Sequence, residues 1–199
     1  MSTVPAGVDS SDGVSASPVR SRRPRYNPRD TNREEVPVYE KSIELLNTAI
    51  ADELAAVHQY MYFHFRLDDL GYTPLANLLK QTAIQEMLHA ESIAERILFL
   101  GGEVEMVVGR EVEKIHEAQE MLHKAQRLEE ESIKMYNRFA IECANNADSG
   151  TKKVFEDLVT AEEGHWDAFD RQSDNVKRFG ESYLALQSFQ AGGGETAAE

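Results

Sequence analysis

Gln85-Glu86-Met87-Leu88-His89 lies inside a run of apolar residues spaced four to seven apart, from Leu78 through Ile84, Leu88 and Ile93 to Leu100. That spacing predicts a helix, because residues i, i+3, i+4 and i+7 share one helical face. Each residue turns by about 100°, so Glu86 and His89 sit about 60° apart on one face and a turn apart along the axis. One helix can present such a pair to a single metal ion or let it bridge two. Met87 points about 100° away from Glu86, off that face. Glutamate-rich helices produce Glu-x-x-His often by chance, so its meaning rests on what the rest of the chain supplies.

Outward from this stretch the pattern stays helical. Upstream, Ile43, Leu46, Ile50, Leu54, Val57, Met61 and Phe65 step by three or four and predict a first helix from Val38. Gly71-Tyr72-Thr73-Pro74 ends it, with Thr73 as N-cap and Pro74 at the first position of the second helix. Gly101-Gly102 stops the second helix. A connection over Glu103 to Arg110 leads to a third helix predicted from near Glu111 to about Asn146. Ala147-Asp148-Ser149-Gly150 is a turn, and a fourth helix spans about Thr151 to Phe179. Ser182 to Gln190 predicts a short fifth helix. Two short turns and one longer middle connection predict an all-α fold, a four-helix bundle with a long crossover between helices 2 and 3.

Residues 1–35 read as a disordered tail, 36–190 as the bundle and 191–199 as a flexible end. The Ser-, Pro- and Gly-rich leader cannot bury enough apolar surface to offset its ordering entropy. It carries Arg20, Arg22, Arg23 and Arg25, a cluster suited to an acidic partner or nucleic acid. The chain's formal net charge of −14 argues against nucleic-acid binding by the bundle and is compatible with attracting cations. No apolar run approaches the roughly 18 residues of a membrane span. A single cysteine, Cys143, and the lack of an apolar leader lead us to expect a reducing cytoplasm.

The other helices supply partners. Glu162-Glu163-Gly164-His165 repeats Glu-x-x-His in the fourth helix, while the first and third offer Glu53 and Glu129. Glu53 to Glu86 and Glu129 to Glu162 are the same interval, 33 residues (86 − 53 and 162 − 129). Two helical hairpins thus present Glu, then Glu-x-x-His, at matched positions. Four carboxylates and two imidazoles suit iron or manganese and suit a thiolate-seeking metal poorly. Two divalent ions carry the charge that four carboxylates cancel; without them, clustered buried glutamates repel and bear a large desolvation cost. Glu53 falls within the apolar stripe of Ile50, Leu54 and Val57, where a free carboxylate is unwelcome. Tyr60 and Tyr136 each follow a predicted ligand, Glu53 and Glu129, by seven residues, nearly two turns. Each can hydrogen-bond a ligand carboxylate or supply an electron during oxidation.

This set is the pattern of ferritin-like di-iron carboxylate proteins. Within that group the chain resembles bacterioferritin over about residues 38–190. The resemblance is carried by Asn47–Tyr62 (NTAIADELAAVHQYMY), Gln85–Gly101 (QEMLHAESIAERILFLG) and Glu162–Phe169 (EEGHWDAF). It implies a 24-subunit hollow cage built from dimers. It implies a di-iron ferroxidase centre of Glu53, Glu86, His89, Glu129, Glu162 and His165, with Tyr60 beside it. Two iron ions per subunit would be oxidised there by O2 or H2O2 and stored as ferric mineral, with a ferredoxin among the implied electron-donor partners. Met87 would bind haem b, shared between two subunits. A rubrerythrin-like di-iron peroxidase is the alternative on the same bundle. Gln81 and Gln85 depart from the His and Asp that bacterioferritins of the best-known type carry there for an inner-surface iron site.

Overall fold

The computed structural model describes residues 39–189; both predicted tails and the arginine cluster lie outside the described residues. Five helices follow one another: α1 (Glu40–Asp69), α2 (Thr73–Phe99), α3 (Ala118–Asn145), α4 (Ser149–Phe179) and α5 (Glu181–Phe189), with no strand among the described residues. The all-α four-helix bundle with a short fifth helix is therefore the observed fold. No described helix is long and apolar enough to cross a membrane.

The helices stop for local reasons. After α1, Tyr72 N–H reaches the Leu67 carbonyl at 2.8 Å and Gly71 N–H reaches that of Asp68 at 2.9 Å. This C-terminal motif needs a left-handed residue, and Gly71 supplies it at φ 79°. Gly101 repeats the motif after α2. After α3 the same bonds form around Ala147 at φ 56°, a conformation that costs a residue with a Cβ. Tyr72, rather than Thr73, precedes α2 without a side-chain cap, and Pro74 lies in the first turn. Asp148 caps α4, accepting the Thr151 N–H at 3.0 Å and an Arg96 guanidinium N–H at 2.7 Å.

α1 packs chiefly on α2, and α3 on α4. The segment from Leu100 to Glu117 returns along α1, so α3 starts at the same end of the bundle as α2. Side chains on α1 hold this crossover in place. Asn47 donates to the Glu103 carbonyl at 3.0 Å and accepts from Glu105 N–H at 2.9 Å. Gln59 does the same to Glu113, at 2.9 and 2.8 Å. Between them Gly109 N–H donates to the Ala51 carbonyl at 2.8 Å, where a Cβ would meet that oxygen at 2.8 Å. These bonds explain why α3 begins at Ala118 and not near Glu111. The backbone of Glu113 is committed to Gln59, so the chain cannot coil there.

Two apolar clusters fill the bundle. One joins Phe63, Leu75, Leu79, Leu122, Phe169 and neighbours; the other joins Leu46, Ile50, Ile93, Ile97, Phe155 and neighbours. On each of the four helices the boundary between clusters falls at a buried glutamate: Glu53, Glu86, Glu129 and Glu162. Four acids occupy one level of the core, with hydrocarbon on either side.

Candidate metal centre

The six predicted donors converge. Glu53, Glu86, His89 and Glu162 offer ligand atoms within 4.8 Å of one another, and so do Glu86, Glu129, Glu162 and His165. Glu86 and Glu162 belong to both sets, and each gives one oxygen to each half. His89 Nδ1 lies 2.8 Å from Glu86 Oε2 and 3.1 Å from Glu162 Oε1. His165 Nδ1 lies 3.0 Å from Glu86 Oε1 and 2.8 Å from Glu162 Oε2. Glu53 closes the His89 half at 3.7 Å and Glu129 the His165 half at 4.0 Å. The helical geometry of Glu-x-x-His brings each pair to one face, and the packing of α2 on α4 sets the two faces opposite. The imidazoles stack with ring centroids 5.6 Å apart.

The donor atoms fit divalent cations better than they fit each other. Both Glu86 oxygens, Glu162 Oε1 and His89 Nδ1 are buried and, among the described residues, make no hydrogen bond of good geometry. Close approach without alignment places several lone pairs around a common point rather than along an N–H direction. Buried orphan acceptors of this kind are costly unless something positive sits among them.

Burial pushes the Glu53 carboxyl well above the usual range; His89 opposes this, while the charges of Glu162 and Glu86 add to it. Burial does the same to Glu129, with the charges of Glu86 and Glu162 adding to it. For His89 burial acts downward, but the carboxylates of Glu162, Glu53 and Glu86 outweigh it and push the ring up to about 12. For His165 burial is again outweighed, here by Glu162 and Glu86, and the ring rises to about 9. Glu162 is held down to about 2, since its contacts with His165 and His89 outweigh its burial. Without metal, this centre holds its charge in check with protons.

The tyrosines cross over. Tyr60 on α1 donates to Glu129 Oε1 at 2.6 Å, and Tyr136 on α3 donates to Glu53 Oε1 at 2.6 Å. Each shares a face with one glutamate yet bonds the other, because two turns is about 10.5 Å along its own helix. Burial, and next the charge of the carboxylate each one bonds, raises both phenols well above their ordinary value, so both remain donors. Tyr136 thereby joins Tyr60 as an equal neighbour of the centre. Sequence spacing had marked it, but not its partner.

The contacts of Asp52 and Gln85 were not legible in the sequence. Asp52 accepts from Ser132 at 2.6 Å and pairs with Arg110 of the crossover, which also reaches Glu131 at 2.9 Å. This ties α1, α3 and the crossover together beside Glu53. Gln85 Oε1 lies 3.0 Å from His165 Nε2. Met87, with Ile84 and Leu88 flanking it, is exposed on α2, away from the donors, at 52% accessibility. His64 bonds the Ala76 carbonyl at 2.9 Å and His123 approaches Gln119 at 2.8 Å; among the described residues, neither joins a metal-binding group.

A bundle of this topology, with a Glu from each of two helices and Glu-x-x-His from the other two, defines a ferritin-like carboxylate protein. The family model for the ferritin-like domain matches residues 43–179. Bacterioferritin of Desulfovibrio desulfuricans is 38% identical over 151 residues, covering 73% of this chain and 81% of that protein. Its X-ray structure, which shows the di-iron site in different catalytic states, aligns with TM-score 0.74 over 80% of this chain and 93% of that one, at 35% identity. The structure of Rhodobacter capsulatus bacterioferritin has a metal-free dinuclear site and a haem iron in a crystallographic special position. It aligns with TM-score 0.71 over 74% of this chain and 92% of that one, at 33% identity. The chain belongs to the bacterioferritin family.

Proposed function

We propose that this chain stores iron as a ferroxidase, taking up Fe(II) and oxidising it with O2 or H2O2 before the ferric product is laid down in a hollow assembly of 24 subunits. The observation that carries this reading is the convergence of six donors whose buried atoms lack partners of their own. Two Fe(II) reduce O2 to H2O2, or H2O2 to two waters, taking up two protons in either case. When bound, the metal supplies the electrons; the protein supplies geometry, charge and dryness. Glu86 and Glu162 each face both halves, so both would take part in holding two ions. Glu53 and His89 complete one half, and Glu129 and His165 the other. Tyr60 and Tyr136 orient Glu129 and Glu53 and stand close enough to exchange a proton with them. The apolar clusters on either side keep bulk water out.

Met87 is the residue we assign to haem b. Its exposure on α2 suits a ligand shared with a second copy, as the special position of the haem iron suggests for the Rhodobacter relative. We place the protein in the cytoplasm, with a ferredoxin as the class of electron donor that would return iron. A rubrerythrin-like peroxidase is disfavoured. The chain has one cysteine, and Ser132, one turn after Glu129, turns to Asp52 instead of offering another carboxylate.

The test is oxygen uptake and ferric absorbance on adding Fe(II), with particle mass on sizing. A cage weighs about 540 kDa (24 × 22.4 kDa). Glu86→Ala or His89→Ala should abolish the rapid phase, while Met87→Leu should remove a Soret band and leave oxidation intact. A monomer that never assembles, or oxidation indifferent to Glu86, overturns the reading.

A further inference from the structure

The two halves of the centre are related by a sequence offset of 76 residues: Glu53 with Glu129, Tyr60 with Tyr136, Glu86 with Glu162 and His89 with His165 (129 − 53, 136 − 60, 162 − 86 and 165 − 89). The symmetry extends to hydrogen bonds, since each tyrosine serves the glutamate of the opposite half at 2.6 Å. It fails at the flanking positions: Asp52, before Glu53, has Leu128 as its counterpart, and a second difference touches a donor ring. Gln85, immediately before Glu86, accepts from the outer nitrogen of His165 at 3.0 Å. Its counterpart at the same offset is Ala161, a methyl group with nothing to offer His89.

The consequence follows from the rings. His165 turns Nδ1 toward Glu86 and Glu162, so Nε2 carries the proton that Gln85 receives. Such an outer bond fixes tautomer and ring orientation, and its loss typically costs 10–100-fold in metal affinity. The His89 ring faces Glu86 and Glu162 in the same manner, yet among the described residues nothing bonds its outer nitrogen. Its side chain is also the more open of the two, 17% accessible against 10% for His165.

We infer that Gln85 is a positioning residue that latches His165 and makes the halves unequal: the Glu129–His165 half retains its metal, and the Glu53–His89 half is the one that exchanges. This rests on the metal-centre reading above and goes beyond it by assigning different tasks to two chemically matched sites. The amide at position 85 is a latch that accepts a hydrogen bond without adding negative charge to the centre. Exchange through His89 also does not require His165 to move.

The experiment loads the assembled protein with two Co2+ per subunit and chases with excess EDTA, following the cobalt absorbance. The wild type should release metal in two phases of equal amplitude. Gln85→Ala should accelerate the slow phase about 10–100-fold and leave the fast phase alone. Gln85→Glu keeps an acceptor and should preserve the slow phase, whereas Ala161→Gln should slow the fast one. Gln85 is exposed and Ala161 half-buried, so these substitutions leave the core intact. Release in a single phase, or a slow phase indifferent to Gln85→Ala, overturns the inference alone. Failure of the wild type to bind two Co2+ per subunit overturns the metal-centre reading and the inference together.

Discussion

Metal loading should expel about four protons per subunit from a metal-free core that neutralises itself with them. The perturbation is addition of a divalent ion that does not change oxidation state, such as Zn2+, near pH 6. Burial keeps Glu53 and Glu129 protonated well above the usual carboxylate range, and the carboxylate cluster overcomes burial to keep His89 and His165 protonated up to about 12 and about 9. All four must lose a proton to become ligands. Each proton contributes about 1.4 kcal/mol per pH unit, so the product of the two binding constants should rise by up to about 10⁴ per pH unit. Titration calorimetry in two buffers of different ionisation enthalpy counts the protons directly. Two or fewer would mean that the glutamates are already ionised, and would refute a charge-neutral metal-free core. The same shifts fix a sign for stability. Groups with raised folded values stabilise fully below their unfolded values, and this contribution is lost as pH rises through the folded ones. His89 and His165 therefore make the metal-free protein less stable at pH 9 than at pH 6, and Glu53 and Glu129 act in the same direction. Glu162 acts oppositely, but only as pH falls from about 4.5 towards 2. With metal bound the slope between pH 6 and 9 should flatten or reverse, as thermal unfolding would show.

Three other outcomes follow from single contacts. Tyr60→Phe and Tyr136→Phe should each cost the metal-free protein about 1–3 kcal/mol in denaturant unfolding, because each strips a buried carboxyl of its donor; a loss confined to Tyr60 would contradict the crossed pairing. Ala147→Gly should raise stability by about 1 kcal/mol by relieving the left-handed residue after α3, and an unchanged midpoint would argue that the turn is not held at that angle. Gly109→Val should destabilise by about 1–3 kcal/mol, since its Cβ meets the Ala51 carbonyl oxygen. Proteolysis between Leu100 and Glu117 would report whether the crossover has detached from α1.

Helix periodicity and matched intervals determined a large part of this protein without coordinates. The stripe around Glu53 required a helix with an acid in its apolar face, and the 33-residue interval singled out Glu129 from Glu130 and Glu131. Both are properties of one helix or one hairpin, where 100° per residue leaves little freedom. What passes between helices depends on how they are packed, and sequence spacing does not encode it. Tyr60 could be placed on the face of Glu53, but only the antiparallel packing of α1 against α3 gives it Glu129. Gln85 looked like the loss of an inner-surface ligand until α4 brought His165 within 3.0 Å of it. The start of α3 moved from near Glu111 to Ala118 because Gln59, 54 residues earlier, takes the backbone of Glu113. The sequence alone determined which six residues meet, because each lies on a helical face of known angle. Only the tertiary structure decided which oxygen faces which ring and which ring is latched, because those depend on distances across the bundle.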